Sequence, residues 1–378
     1  MTLNANPIHC DMTSASLETA LRPFADCGAG VIALVPEAGQ TGIALLQDCC
    51  RRLNLGLAGA VFPALVVGGR EVQDGVVLLR FAVMPPTLLI TDADDPLRED
   101  ELADHVRGWV GQQRHEGQPV LFTLFDACLP NMYSLLRKIG AALEDEVSYG
   151  GVNAGSESFQ PMACLFDLDR LVGDGVLLVL LPELARSAVA HGFDLPVRIM
   201  RANATERNRI LQLEGRPAFE MYREAIRDDY GLVLSDADFY EHAVHYPLAI
   251  LAEDSLVQIR IPVGLDSSGG LYCVGDVPQG ALVVIVKAPR AEESDCLEQL
   301  ADQLERHAAG LALLTFYCAG RRLHMGPEQS RAELLALQQK TGAQWLVGAF
   351  SLGEIATDGR GAPAFHNAAL LCQVLQSS

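Results

Sequence analysis

VLFTLFDACLPNMYSLLRKIGAALEDEVSYGGVNAG, residues 120–155, opens with six apolar, aromatic or β-branched residues, the composition of a strand buried on both faces. Pro130 then stands just ahead of NMYSLLRKIGAALE, where a proline suits the first turn of a helix. The stretch ends in a short run that passes into a glycine-punctuated loop, GGVNAG. Strand, helix, strand and glycine loop in that order are the elements of an α/β protein.

The same order is written twice more. VIALV at Val31 and LALLTFY at Leu311 match the first run, and each is followed by a helical pattern, TGIALLQDCCRR from Thr41 and PEQSRAELLALQQ from Pro327. Glycine-bearing strands come next, GLAGAVFPAL from Gly56 and VGAFSLGEI from Val347. Helices also precede the three runs. REDELADHVRGWVGQQR places Leu102, Val106, Trp109 and Val110 on one face, DCLEQLADQLERHA does the same with Leu297, Leu300, Ala301 and Leu304, and SLETALRPFADC is a shorter match broken by Pro23. Closing strands are predicted at GVVLLRF from Gly75, at GVLLVLL from Gly175 or the nearer MACLFD from Met162, and at AALLCQVL from Ala368.

Between the second and third units the pattern changes. LPVRIMRANATERNRILQLEGRPAFEMYREAI reads as two strands around a turn and then a helix, and the stretch from Leu256 to about residue 288 as a meander of short strands. The predicted fold is therefore α/β, with about three related units in repeated β-α-β-type layers and an inserted small α+β and β-meander segment. Residues 1–195 would hold two units, 196–280 the insertion and 281–378 the third unit.

Composition narrows the function. With 49% hydrophobic and 20% charged residues the chain should fold as a globular protein. Its 28 basic and 48 acidic side chains give a formal charge of -20, which repels nucleic-acid backbones and anionic membranes. The N-terminal residues lack a basic and an apolar signal region, and no apolar run reaches bilayer length, so the expected location is the cytoplasm. Ten cysteines occur without a CxxC, which predicts reduced thiols.

Motifs of turnover are missing. Ser351 in GAFSLG has its first glycine one residue too far away for a nucleophile elbow, and there is no GxGxxG, GxxxxGKS or HExxH. The glycine loops are more informative, because ligands of α/β sheets settle beyond strand ends, where glycine lets backbone amides approach. Three such loops predict a shared crevice. Glu354 and His366 flank the third loop, and Cys318 and Arg321 lie just past the preceding strand, so these four would form the polar end of an apolar pocket. The competing reading is a buried Glu354–Arg321 ion pair, with His366 capping a backbone carbonyl. In YEHAVHYPL, His242 and His245 stand three apart, a spacing that lets two imidazoles share a helical face and suits a metal or a haem iron.

Four segments carry a resemblance. ILQLEGRPAFEMYREAI from Ile210 is similar to the LdGxPAlevY signature of the FIST family through Leu213, Gly215, Pro217, Ala218 and Tyr222. VGAFSLGEIATDGRGAPAFHNAALL from Val347 is similar to its GxyxxGEi…hN signature through Gly348, Gly353, Glu354, His366 and Asn367. HYPLAI with IRIPVGLD, and LTFYCAGRRLHMG, add to it. The resemblance spans nearly the whole chain and implies a FIST N-like domain over 1–195 and a FIST C-like domain over 196–378. It implies sensing rather than catalysis, with Cys318, Arg321, Gly353, Glu354, His366 and Asn367 around a ligand. A freestanding chain of this length also resembles the haem-binding, nitric-oxide-sensing NosP group, which acts on partner histidine kinases in biofilm and cyclic-di-GMP signalling. That implies haem b as cofactor, nitric oxide as ligand and a cytoplasmic histidine kinase as partner, with a homo-oligomer left open. His245 is then the first candidate for the iron and His242 the second. The alternative is a metabolite sensor in which Arg321 meets an amino acid's carboxylate and Glu354 its ammonium. A third class, an enzyme using Cys318 assisted by His366, ranks below both.

Overall fold

A computed structural model describes residues 7–25, 28–113, 117–181, 187–251, 257–290, 294–304 and 308–375. The three apolar runs are the central strands of three six-stranded sheets: Gly30–Pro36, Val120–Asp126 and Ala312–Cys318. Each runs parallel to the glycine-bearing strand that follows it, Gly56–Phe62, Ser148–Ala154 and Trp345–Ser351. On its other side each pairs antiparallel with its unit's closing strand, Val76–Phe81, Val176–Leu181 and Leu370–Leu375. Of the two closing strands anticipated for the second unit, the one from Gly175 is therefore right. A short edge strand completes each sheet: Ile8–Cys10, Thr87–Ile90 and Ser187–Ala190. These edges went unread because three or four residues carry too little pattern.

Why the central strands are apolar throughout follows from what covers them. Along Val120–Asp126, side chains alternate: Val120, Phe122 and Leu124 face a core shared with the other sheets, while Leu121 and Phe125 face two helices, Glu99–Gln112 and Met132–Leu143. Ala312–Cys318 repeats this, with Ala312, Leu314 and Phe316 turned to the shared core. Leu313 and Tyr317 face the helices Cys296–Leu304 and Pro327–Thr341. In the shared core, Phe62, Phe122 and Phe316, one from each unit, pack with ring centroids 5.7 Å apart for Phe62–Phe316 and again for Phe122–Phe316.

The sheets are also interlocked. After its glycine-bearing strand, each unit sends a hairpin to the next sheet instead of its own. The first unit's hairpin, Leu65–Val67 with Arg70–Val72, pairs with Trp345–Ser351. The second's, Leu165–Asp167 with Leu171–Val172, pairs with Gly56–Phe62. The third's, Glu354–Thr357 with Pro363–His366, pairs with Ser148–Ala154. The exchange is cyclic, and one glycine per unit lies where it occurs, close against the unit's own central strand: Gly59, Gly151 and Gly348 sit opposite Phe166, Ile355 and Val66 of the visiting hairpin. A Cβ there would lie 2.3 Å from the Ala33 carbonyl, 2.2 Å from that of Thr123 and 1.8 Å from that of Thr315. Arg322 of the third unit reaches Glu71 on the first unit's hairpin (3.0 and 2.9 Å) and Glu157 of the second unit (2.5 Å). It links all three units from a partly exposed position.

The anticipated insertion forms a fourth, antiparallel sheet with strands from Met200 to Ile285, and Ala218–Tyr230 is its principal helix. It interrupts the third unit, since the edge strand Ser187–Ala190 precedes it and the helix Cys296–Leu304 follows. Arg260, fully buried, ties it down: Nη1 donates to the Phe365 carbonyl of the third hairpin at 3.0 Å, and Nε donates to the Asp276 carbonyl at 2.9 Å.

Candidate functional site

Glu354 and His366 are directly opposed across the third hairpin. Both are buried, as are Cys318, Arg321 and Asn367, and Cys318 and Arg321 come close enough to act on the Glu354 carboxyl. Its environment is a packed interior. The glycine-loop strands meet, but they close on one another's backbone: Gly155 N–H donates to the Val61 carbonyl (2.8 Å), Asn153 N–H to Gly353 (2.9 Å), Leu352 N–H to Asn153 (3.0 Å) and Phe350 N–H to Ala64 (2.8 Å). The expectation that these loops rim an open crevice is corrected by those bonds. Gly353 is needed there for a second reason: at φ +139° a Cβ would lie 2.4 Å from the Phe365 ring.

The Glu354 carboxyl accepts from the Ser351 hydroxyl at 2.6 Å and from the Ala369 amide at 3.4 Å. These contacts, with the Cys318 thiol and the Arg321 charge nearby, do not offset its burial, which pushes its pKa up to about 8. Burial likewise pushes the Cys318 thiol well above its usual range, so it is not an activated nucleophile; its sulfur accepts from the Ala368 amide at 3.1 Å. His366 is pushed down to about 3 by burial, with His191 and Arg260 adding to the effect. Its Nδ1 has no hydrogen-bond partner among the described residues, so the anticipated carbonyl cap is not made through that nitrogen. Asn367 Oδ1 accepts from the Ile261 amide of the inserted sheet at 3.3 Å.

Arg321 does not pair with Glu354. Its partner is Glu333 on the next helix, engaged through both carboxylate oxygens, with Nε at 2.9 Å and Nη2 at 2.6 Å. Nη1 donates to the carbonyls of His191 (2.6 Å) and Ala368 (3.2 Å), and the Tyr317 hydroxyl donates to the same Glu333 carboxylate at 2.6 Å. Burial opposes the charge, but the acidic groups of Cys296 and Glu333 around it hold the guanidinium's pKa above its ordinary value. With its donors so occupied, Arg321 is a fastener between helix, edge strand and closing strand. A carboxylate twelve positions downstream on a separate helix leaves no spacing signal in the sequence.

The histidines gather elsewhere. His242 lies on the short helix Phe239–Ala243, whereas His245 lies beyond its end, in a turn closed by the His245 amide on the His242 carbonyl (2.9 Å). The two therefore do not share a helical face, though they remain neighbours. Burial, then His242, lowers the pKa of His245. On the helix Ala319–Met325 of the third unit is His324, which has no signal in the sequence and comes near enough to His245 to feel its charge. Burial pushes it down to about 3, with Arg321 and His245 adding to the shift. Phe193 stands edge-on to its ring at a centroid distance of 5.9 Å. At the junction of insertion and third unit, burial thus disfavours the charged form of His245 and His324, and the neutral imidazole is the form that binds metals. Among the described residues no three His, Cys, Asp or Glu side chains cluster as a metal site. A haem iron asks for only one or two protein ligands. The nine described cysteines are all free.

Two clefts open away from both groups. One, of about 470 Å³, lies at the edge of the first sheet between Ile8, Phe24 and Arg80. The other, of about 330 Å³, lies along the outer face of the helix Ala218–Tyr230. No helix among the described residues is long and apolar enough to cross a membrane.

Comparison with known proteins places this architecture. Residues 32–216 match the FIST N domain and residues 218–357 the FIST C domain. No curated protein matches the chain. The two matches meet within the inserted segment and together take in all three glycine-bearing strands, so the chain belongs to the FIST family.

Proposed function

We propose that this protein is a haem-based nitric oxide sensor that modulates a partner histidine kinase. FIST domains are small-ligand sensor domains of signalling proteins, and no catalytic family is indicated. The finer reading, haem b with nitric oxide as the signal, rests on the gathering of His242, His245 and His324 at the junction of the insertion and the third unit. Haem, when bound, supplies an iron that takes a diatomic ligand, and the protein's part is an imidazole, an apolar surround and a surface that differs between ligand states. His245 is the candidate carried from the sequence, with His242 second.

The metabolite alternative asked Arg321 to receive a carboxylate and Glu354 an ammonium. Arg321 is taken up by Glu333, and Glu354 is buried and biased toward its neutral acid, so neither group is free for the role that alternative gave it. Cys318, Gly353, Glu354, His366 and Asn367 then act from behind the site, holding the third hairpin against the inserted sheet. Part of the same proposal are a cytoplasmic setting, a division into an N-terminal part over 1–195 and a C-terminal part over 196–378, and self-association. Reconstitution with haemin tests the reading. A Soret band that shifts with nitric oxide supports it, and its absence after reconstitution removes it.

A further inference from the structure

We propose that His324, rather than His245 or His242, is the residue that binds the haem iron; this rests on the haem reading above. Neither ring nitrogen of His324 has a hydrogen-bond partner among the described residues, although both atoms are shielded from solvent. The Gly320 carbonyl, one turn back, acts on one ring nitrogen too weakly to make a well-formed hydrogen bond, and the other nitrogen has no protein group among the described residues near it to bond. A neutral imidazole carries one donor and one acceptor, and leaving such groups buried without partners costs about 1–3 kcal/mol each. An orphaned pair of this kind calls for a ligand, and a bond to a metal satisfies the acceptor nitrogen.

The support beneath His324 is what a ligating imidazole requires. Its helix, Ala319–Met325, carries Arg321, fixed by Glu333 and two carbonyls, and Arg322, fixed by Glu71 and Glu157. Two anchors on consecutive residues hold the backbone, so the ring is positioned before anything binds. Phe193, edge-on at 5.9 Å, limits its rotation and supplies apolar surface. His245 lacks this support: it sits in a turn, and among the described residues it is held by backbone bonds from its amide to the His242 carbonyl and from the Ala288 amide to its own carbonyl. Its place beside His324 makes it a second imidazole at the site, not the anchoring one.

Haemin titration followed by absorption separates the possibilities. The wild-type chain should give a Soret band. His324→Ala should weaken haem affinity by about 100-fold or more, beyond the 10–100-fold typical of losing a supporting group, and free imidazole should restore the wild-type spectrum. His245→Ala should leave the affinity within about threefold. Where His324→Ala fails to fold, His324→Gln keeps the volume and polar character without an imidazole and takes its place. A wild-type spectrum and affinity in the His324 variants would overturn the assignment while leaving the haem reading intact. Loss that imidazole does not restore would mark His324 as structural and overturn it too. No Soret band in the wild type defeats the haem reading itself, a result the variants cannot produce.

Discussion

Glu354→Gln should change how stability responds to pH. In the fold the carboxyl is buried and titrates near pH 8, whereas in the unfolded chain it titrates near 4.5. The folded state therefore holds a proton that the unfolded state has released anywhere between those values. The stability Glu354 contributes is complete below about pH 4.5 and drains away as pH rises through the window to about 8. One proton is worth about 1.4 kcal/mol per pH unit, so between pH 5 and pH 8 the wild type should lose on the order of 3–4 kcal/mol through this group alone. Glutamine keeps an oxygen to accept from Ser351 and cannot ionise. The assay is urea unfolding of both proteins at intervals across that range, taking the difference so that histidine contributions cancel. Those contributions have the opposite sign: His191 is depressed to about 4, and His324 and His366 to about 3, so their stability is lost as pH falls below about 6.5. Parallel stability curves for wild type and variant from pH 5 to 8 would refute the argument, because they would mean that Glu354 is ionised in the fold or exposed to water.

Gly348→Ala should destabilise the protein severely, since its Cβ would lie 1.8 Å from a main-chain oxygen, whereas Gly108→Ala, in a helix with nothing within 4 Å, should stabilise by about 1 kcal/mol. Thermal unfolding of both compares them, and a Gly348→Ala protein with unchanged melting temperature would contradict the close approach of the paired strands. Glu333→Ala should cost about 3–5 kcal/mol by stranding the buried Arg321, and the double change Arg321→Met with Glu333→Leu should recover much of that. Denaturant titration measures it; a cost below about 1 kcal/mol would mean the pair is not shielded as described.

Much of the fold was legible in the residues. The central strands, the helices packed on them and the glycine-bearing strands all follow from runs of at least seven residues, long enough for periodicity to speak. The destination of the hairpins was not. Nothing in Leu65–Val67 or Glu354–Thr357 says which sheet it joins, because an apolar edge can pair with any exposed strand of matching register. The site divided the same way: Cys318 comes close to Glu354 and Glu354 opposes His366, but Arg321's carboxylate and the unpartnered ring of His324 were invisible in one dimension.

By itself the sequence determined local conformation and burial: apolar strands, amphipathic helices, and glycines at three equivalent positions where a side chain cannot fit. Only the tertiary structure decided partners, namely which sheet receives each hairpin, which acid neutralises Arg321, and which histidine is left with both nitrogens unbound. The reason is physical. Backbone preference and hydrophobic period act over a few neighbouring residues and are written in order along the chain. Pairing energies act over a few ångströms between residues whose separation in sequence is arbitrary, and they exist only once the core has brought those residues together.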